Sequence, residues 1–165
     1  MKRSKQHYKF RYEEKTERQI IRRDRMERKG GFTCSHCRQW VVINDLMGTA
    51  NRNHCNLCLW SKHVDEKKGD RLSKCQAGMR PIGLTFRIEG AFRRGEIMLI
   101  HDCAGCRKLS INRIAADDTS DNILSIFEAS LRLEVDLGYR VQHGGILRAV
   151  EADREEILTQ LFGRV

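Results

Sequence analysis

The chain is short of proline, with one residue, Pro81, in 165. That scarcity excludes a Pro-rich linker or low-complexity chain. Long apolar runs are missing too. A run such as Ile97-Met98-Leu99-Ile100 is far short of the roughly 20 residues that span a bilayer. The start, MKRSKQHYKFRYEEK, has no apolar stretch of the signal-peptide kind, and Glu13 and Glu14 do not suit a transit peptide. The expectation is a cytoplasmic protein with no membrane partner. Hydrophobic residues make up 40% and charged residues 32%, which points to a small globular body with polar extensions. A phosphate-binding G-x-x-x-x-G-K and a nucleophile elbow are both absent.

Positive charge is plentiful and uneven. Residues 1–31 hold 12 Lys/Arg against 5 Asp/Glu, so +7 of the net +9 sits in the first fifth. The remainder is nearly neutral. A basic arm on such a body is a footprint for polyanions. Within the arm, Tyr8, Phe10 and Tyr12 alternate with Lys9 and Arg11, behind Lys2, Arg3 and Lys5. Rings between cations can stack on bases while the cations meet phosphates. Residues 13–29 read as a basic helix carrying Arg18, Arg22, Arg23 and Arg25, with acidic residues at its start and Gly30-Gly31 at its end. Its only strongly apolar residues are Ile20, Ile21 and Met26, so it has no strong face for a core.

Seven cysteines are abundant for a reducing compartment, where clusters read as metal ligands rather than disulfides. Three pairs have C-x2-C spacing: Cys34/Cys37, Cys55/Cys58 and Cys103/Cys106. Cys75 stands alone. A two-residue gap turns both thiolates toward one ion, with the turn's N–H groups supporting the sulfurs. The first two pairs give C-x2-C-x17-C-x2-C, a zinc spacing. The third pair needs Cys75 and one more ligand. His63 is the first candidate; His36, His54 and His101 compete but lie beside committed cysteines. Two zinc ions are expected. A crossed grouping, with Cys34/Cys37 beside Cys103/Cys106 and Cys55/Cys58 beside His63 and Cys75, is the main rival that spacing allows.

Strands are expected at 39–43, 81–88 and 96–101, helices at 119–135 and 149–162, and a strand or loop at 139–147. Thr119 or Ser120 is the expected N-cap, and Gly138 the expected stop of the first helix. Asp117-Asp118 read as complements of the helix dipole. Asp70-Arg71 read as a turn with an ion pair. Arg52, beside Asn53, reads as a phosphate contact, with pairing to Asp65, Asp70 or Asp117 as the alternative.

Taken in order, FTCSHC, RNHCNLCLWSKHVD, GDR, Cys75, Pro81-Ile82, HDCAGC and NRIAADD resemble the RNHCP domain family over about residues 32–118. Asn56 replaces the proline of the family motif, and Arg107 the glycine expected after the last cysteine. The resemblance implies a small bacterial zinc-ribbon-like module and no settled activity. The expected organisation is a basic arm over 1–31, this domain over 32–118 and a helical extension over 119–165. The fold class is α+β, a zinc-ribbon or treble-clef-like module flanked by helices.

The leading functional reading is a zinc-stabilised RNA-binding protein on the ribosome, with rRNA and ribosomal proteins as partners. One alternative is an HNH-like metal-dependent nuclease using Asn53, His54, His63 and Asp65. The simpler reading is that Asn53 caps a turn and His54 braces the knuckle. Another alternative is a protein-interaction adaptor whose contact face is the two C-terminal helices.

Overall fold

The structure is a computed structural model that describes residues 30–49, 52–67, 69–90 and 93–163. The basic arm and its expected helix lie outside those residues. Two antiparallel sheets carry the body. The smaller pairs β1 (Gly31–Thr33) with β2 (Trp40–Val42). The larger has the order β3-β4-β5-β6, from Ser61–Lys62, Gly78–Glu89, Arg93–Cys103 and Leu109–Arg113. Three helices follow: α1 (Ser120–Ser130), α2 (Val135–His143) and α3 (Arg154–Phe162). The class is therefore α+β.

Alternation along β4 and β5 builds two cores. Leu84, Phe86, Ile97 and Leu99 face one side and meet Ile123, Phe127 and Ile157 of α1 and α3. Ile100, next to Leu99, points the other way with Ile82 and meets Leu137 and Val141 of α2. Both strands are buried on two faces along much of their length. That explains their apolar runs, in place of a simple alternating pattern. Pro81 lacks a ladder donor, and it sits where β4 is bulged, between Pro81 and Gly83.

The helix expected over 119–135 is shorter, and the strand or loop expected over 139–147 is instead largely α2. Gly138 lies inside that helix rather than ending one. Leu137 and Val141, one turn apart, bury against the sheet, and this packing outweighs the glycine's cost of about 1 kcal/mol. Among the described residues, no helix is long and apolar enough to cross a membrane.

Candidate metal centres

Three knuckles share one backbone plan. The residue after each second cysteine sends its N–H back to the carbonyl of the first: Arg38 to Cys34 at 3.1 Å, Leu59 to Cys55 at 2.9 Å, Arg107 to Cys103 at 3.0 Å. The first cysteine's N–H then reaches the carbonyl of Gln39, Trp60 or Lys108 at 2.8–3.0 Å. To close these turns, Arg38, Leu59 and Arg107 take positive φ of 65°, 60° and 62°, and Gln76 after Cys75 takes 53°. This is the region that favours glycine, so each turn is held against a conformational cost. The residue two positions after the cysteine donates its N–H to the sulfur: Gln39 to Cys37, Trp60 to Cys58, Ala77 to Cys75 and Lys108 to Cys106. Such bonds favour the thiolate, the form that binds metal. Chiefly through Gln39, the Cys37 thiol is brought down to about 7. Cys75 is lowered in the same way by Ala77. Burial pushes Cys55 and Cys58 up.

The knuckles gather into two clusters, each able to hold one metal ion. Cys34, Cys37, Cys55 and Cys58 form the first, with their sulfurs all within 4.8 Å. Its closest approaches are Cys34–Cys58 and Cys37–Cys55, both 3.6 Å. His63, Cys75, Cys103 and Cys106 form the second. There Cys75 and Cys103 are 3.6 Å apart, and Nδ1 of His63 lies 3.2 Å from the Cys106 sulfur. Nε2 of His63 is buried without a hydrogen-bond partner. All seven cysteines are free thiols. Of the two groupings that spacing allowed, the chain adopts the sequential one. Gly105 is part of the reason: a Cβ there would stand 2.8 Å from that of Ala77 and 3.0 Å from the Cys75 sulfur. Only a glycine lets the third knuckle close on the lone cysteine.

The competing histidines have other duties. His36 is exposed and stacks on Trp60 with ring centroids 4.0 Å apart, tying the first two knuckles together. His54 and His101 are buried in a polar chain between the clusters. His101 donates Nε2–H to the Leu59 carbonyl at 2.8 Å, so its Nδ1 accepts from Asn112 at 2.9 Å. Burial brings its pKa down to about 4, which keeps the ring neutral. The Asn112 side-chain oxygen in turn accepts from Asn53 Nδ2, and the Asn53 side-chain Oδ1 accepts from His54 Nδ1 at 3.0 Å. His54 Nε2 meets Asp118 at 2.7 Å.

Asp118 also accepts the Ala115 N–H at 2.6 Å and lies 3.5 Å from Arg52 Nη1. Asp117 takes the other end of that guanidinium. The side chain of Arg52 is 0% exposed, so its charge is spent inside the protein. The phosphate contact read at Arg52 is corrected on this ground, in favour of pairing with Asp117. Asp117 and Asp118 likewise serve this network rather than a helix dipole. The pattern Arg-Asn-His before a knuckle was visible in the sequence, and Asp117 was among the partners expected for Arg52; Asp118 and Asn112, 64 and 59 residues from His54 and Asn53, were not.

The remaining nuclease candidates do not converge. His54 is buried against Asp118, and His63 belongs to the second cluster. Asp65 accepts the N–H groups of Gly69 and Arg71 at 3.3 and 2.8 Å in the loop between. The Asp70-Arg71 turn is real but paired differently. Asp70 accepts from Glu66, Lys67 and Leu72, while Arg71 lies 3.8 Å from Asp65. Sequence reading missed Arg140 of α2, which reaches Asp102 at 2.7 Å and the Arg107 carbonyl, bracing the third knuckle from outside. The nucleic-acid candidates Lys2, Arg3, Lys5, Tyr8, Lys9, Phe10, Arg11, Tyr12, Arg18, Arg22, Arg23 and Arg25 lie outside the described residues.

A family model described as the RNHCP domain matches residues 29–124, more than half of the chain. Neither the curated proteins nor the solved structures compared contain a match.

Proposed function

The chain belongs to the RNHCP domain family, and from that premise we propose that it is a zinc-stabilised RNA-binding protein, an accessory component of a ribosomal particle. Zinc is supported by the donor chemistry. One cluster offers four sulfurs, the other three sulfurs and an imidazole, both closed structural sets. A tetrahedral ion with Zn–S of about 2.3 Å separates its sulfurs by about 3.8 Å, near the 3.6 Å observed. Cys34, Cys37, Cys55 and Cys58 would hold one ion and His63, Cys75, Cys103 and Cys106 the other. Their role is to fasten the knuckles.

The observation that carries the RNA reading is the arm: +7 over 31 residues with alternating aromatics, directly before the first knuckle. A polycation of that kind gains affinity for RNA by releasing counterions. Ribosomal proteins beside rRNA are the protein partners in this reading.

The test is sedimentation of native lysate through sucrose, with and without RNase. Migration with ribosomal particles, lost after RNase, is the expected result. A position at the top of both gradients overturns the ribosome assignment. Deleting residues 1–29 is expected to weaken RNA binding and flatten its salt dependence. An unchanged slope would overturn the role of the arm.

A further inference from the structure

α2 covers only part of its face of the sheet. Beside it lies an open groove of about 520 Å³, within the range of ligand sites. Across its floor Thr85, Met98 and Arg113 are paired on β4, β5 and β6, with Ile111 two residues before Arg113 on β6, and its far wall is the segment from Gly145 to Ala149. Thr85 and Met98 are buried, but three aliphatic residues that line the groove are uncovered. Ile88 is 55% exposed, Ile111 47% and Leu147 78%. Isolated apolar residues on a surface need no explanation, but three around one concavity mark a contact site.

Four arginines ring the same groove: Arg87, Arg94, Arg113 and Arg148. Arg87 and Arg113 share one carboxylate, Glu96, at 3.1 and 2.7 Å. Arg94 pairs with Asp153. Arg148 gives Nη1 to the neutral carbonyl of Ser130 at 2.6 Å. Four guanidinium groups against Glu96, Asp153 and the nearby Glu156 leave +1 at the groove. Outside residues 1–31 the whole chain carries only +2, so the groove holds half of that excess.

We infer that this groove seats an acidic, aliphatic segment of a partner protein. The charge calls for carboxylates, and the arginine forks suit them. The exposed Ile88, Ile111 and Leu147 call for leucine- or valine-like side chains. A single-stranded nucleic acid would instead call for exposed rings to stack on; the groove's one ring, Phe86, is 8% exposed and lies under Arg94. β6 is the edge of the sheet, and among the described residues no strand pairs with its outer side. Backbone amides at such an edge recognise peptides. The inference is independent of RNA binding by the arm.

The experiment selects from a random peptide display library on the immobilised full-length, zinc-loaded protein, with a random RNA pool as competitor. Selected peptides are expected to combine glutamate or aspartate with leucine, isoleucine or valine. Their affinity should fall at least tenfold in Arg113→Glu and in Ile111→Ser, and stay unchanged in Arg132→Glu, an exposed arginine away from the groove. Zinc content and circular dichroism confirm that each variant folds. Peptides without acidic residues overturn the inference. So does binding indifferent to both groove substitutions, failure to select any peptide, or RNA that takes the groove in place of the peptides and is lost in the same variants.

Discussion

The two clusters use the same turn in different surroundings. Around the first, β1 and β2 are three residues each, and the local core is Cys34, Val41 and Cys55, with Phe32, Cys37 and Cys58 against it. Four of those six residues are the ligands themselves. The second cluster closes one end of β4 and β5, whose other residues bury Leu84, Ile97, Leu99 and Ile100 against three helices. A metal ion in the first would therefore be most of the core, and in the second a clasp on a sheet that already has one. The weight of a structural metal grows as the apolar packing around it shrinks.

Chelation tests that contrast most severely. Zinc contributes about 10–16 kcal/mol to isolated zinc-finger peptides, and the hairpin of β1 and β2 has little else. Removing metal is expected to strip hydrogen-exchange protection from residues 31–42 while Leu84 and Leu99 keep theirs. Simultaneous loss in both regions would mean that the sheet also rests on metal, and the contrast would fall.

Phe127→Ala probes the other side. The ring is 0% exposed in the larger core, so truncation should cost about 3–5 kcal/mol. The urea midpoint of the sheet and helices should drop, with the Cys34–Cys58 cluster still loaded in the folded fraction. Metal loss from that cluster in step with the midpoint would show the two regions to be one cooperative unit.

Asp118→Ala addresses the join. It strips the buried Arg52 and His54 of their shared carboxylate and the Ala115 N–H of its acceptor. A cost of about 3 kcal/mol is expected, by analogy with breaking a buried pair. Thermal unfolding should then separate into two transitions. A single transition with an unchanged Tm would refute a coupling role for this network.

The smallest effect compares single residues in the same turn. Arg38→Gly relieves a positive φ on an exposed side chain and should stabilise by about 1 kcal/mol. Leu59→Gly relieves the same strain but removes a fully buried side chain from the larger core, and should destabilise. Denaturant titration of both variants reads the sign. Equal signs would mean that the knuckle turn, not its surroundings, decides.

Much of the metal chemistry is written locally. The C-x2-C spacing makes each knuckle, because a turn of that length aims both sulfurs and its own N–H groups at one point. The strands beside the knuckles and the helix around Ile123 and Phe127 follow from short-range hydrophobic pattern. The glycine replaced by Arg107 even marks where the backbone must be left-handed. Other features depend on residues far apart in sequence. The grouping of cysteines depended in part on Gly105 letting one turn approach Cys75. The burial of Arg52 turned on two aspartates 65 and 66 residues away. Gly138 reads as a stop until the sheet surface that buries Leu137 and Val141 is known. The groove joins arginines from position 87 to position 148, and no window of sequence contains them. Spacing determines what a turn can hold; only the packed sheet decides which turns, charges and faces meet, because burial and pairing depend on neighbours that the chain brings together by folding.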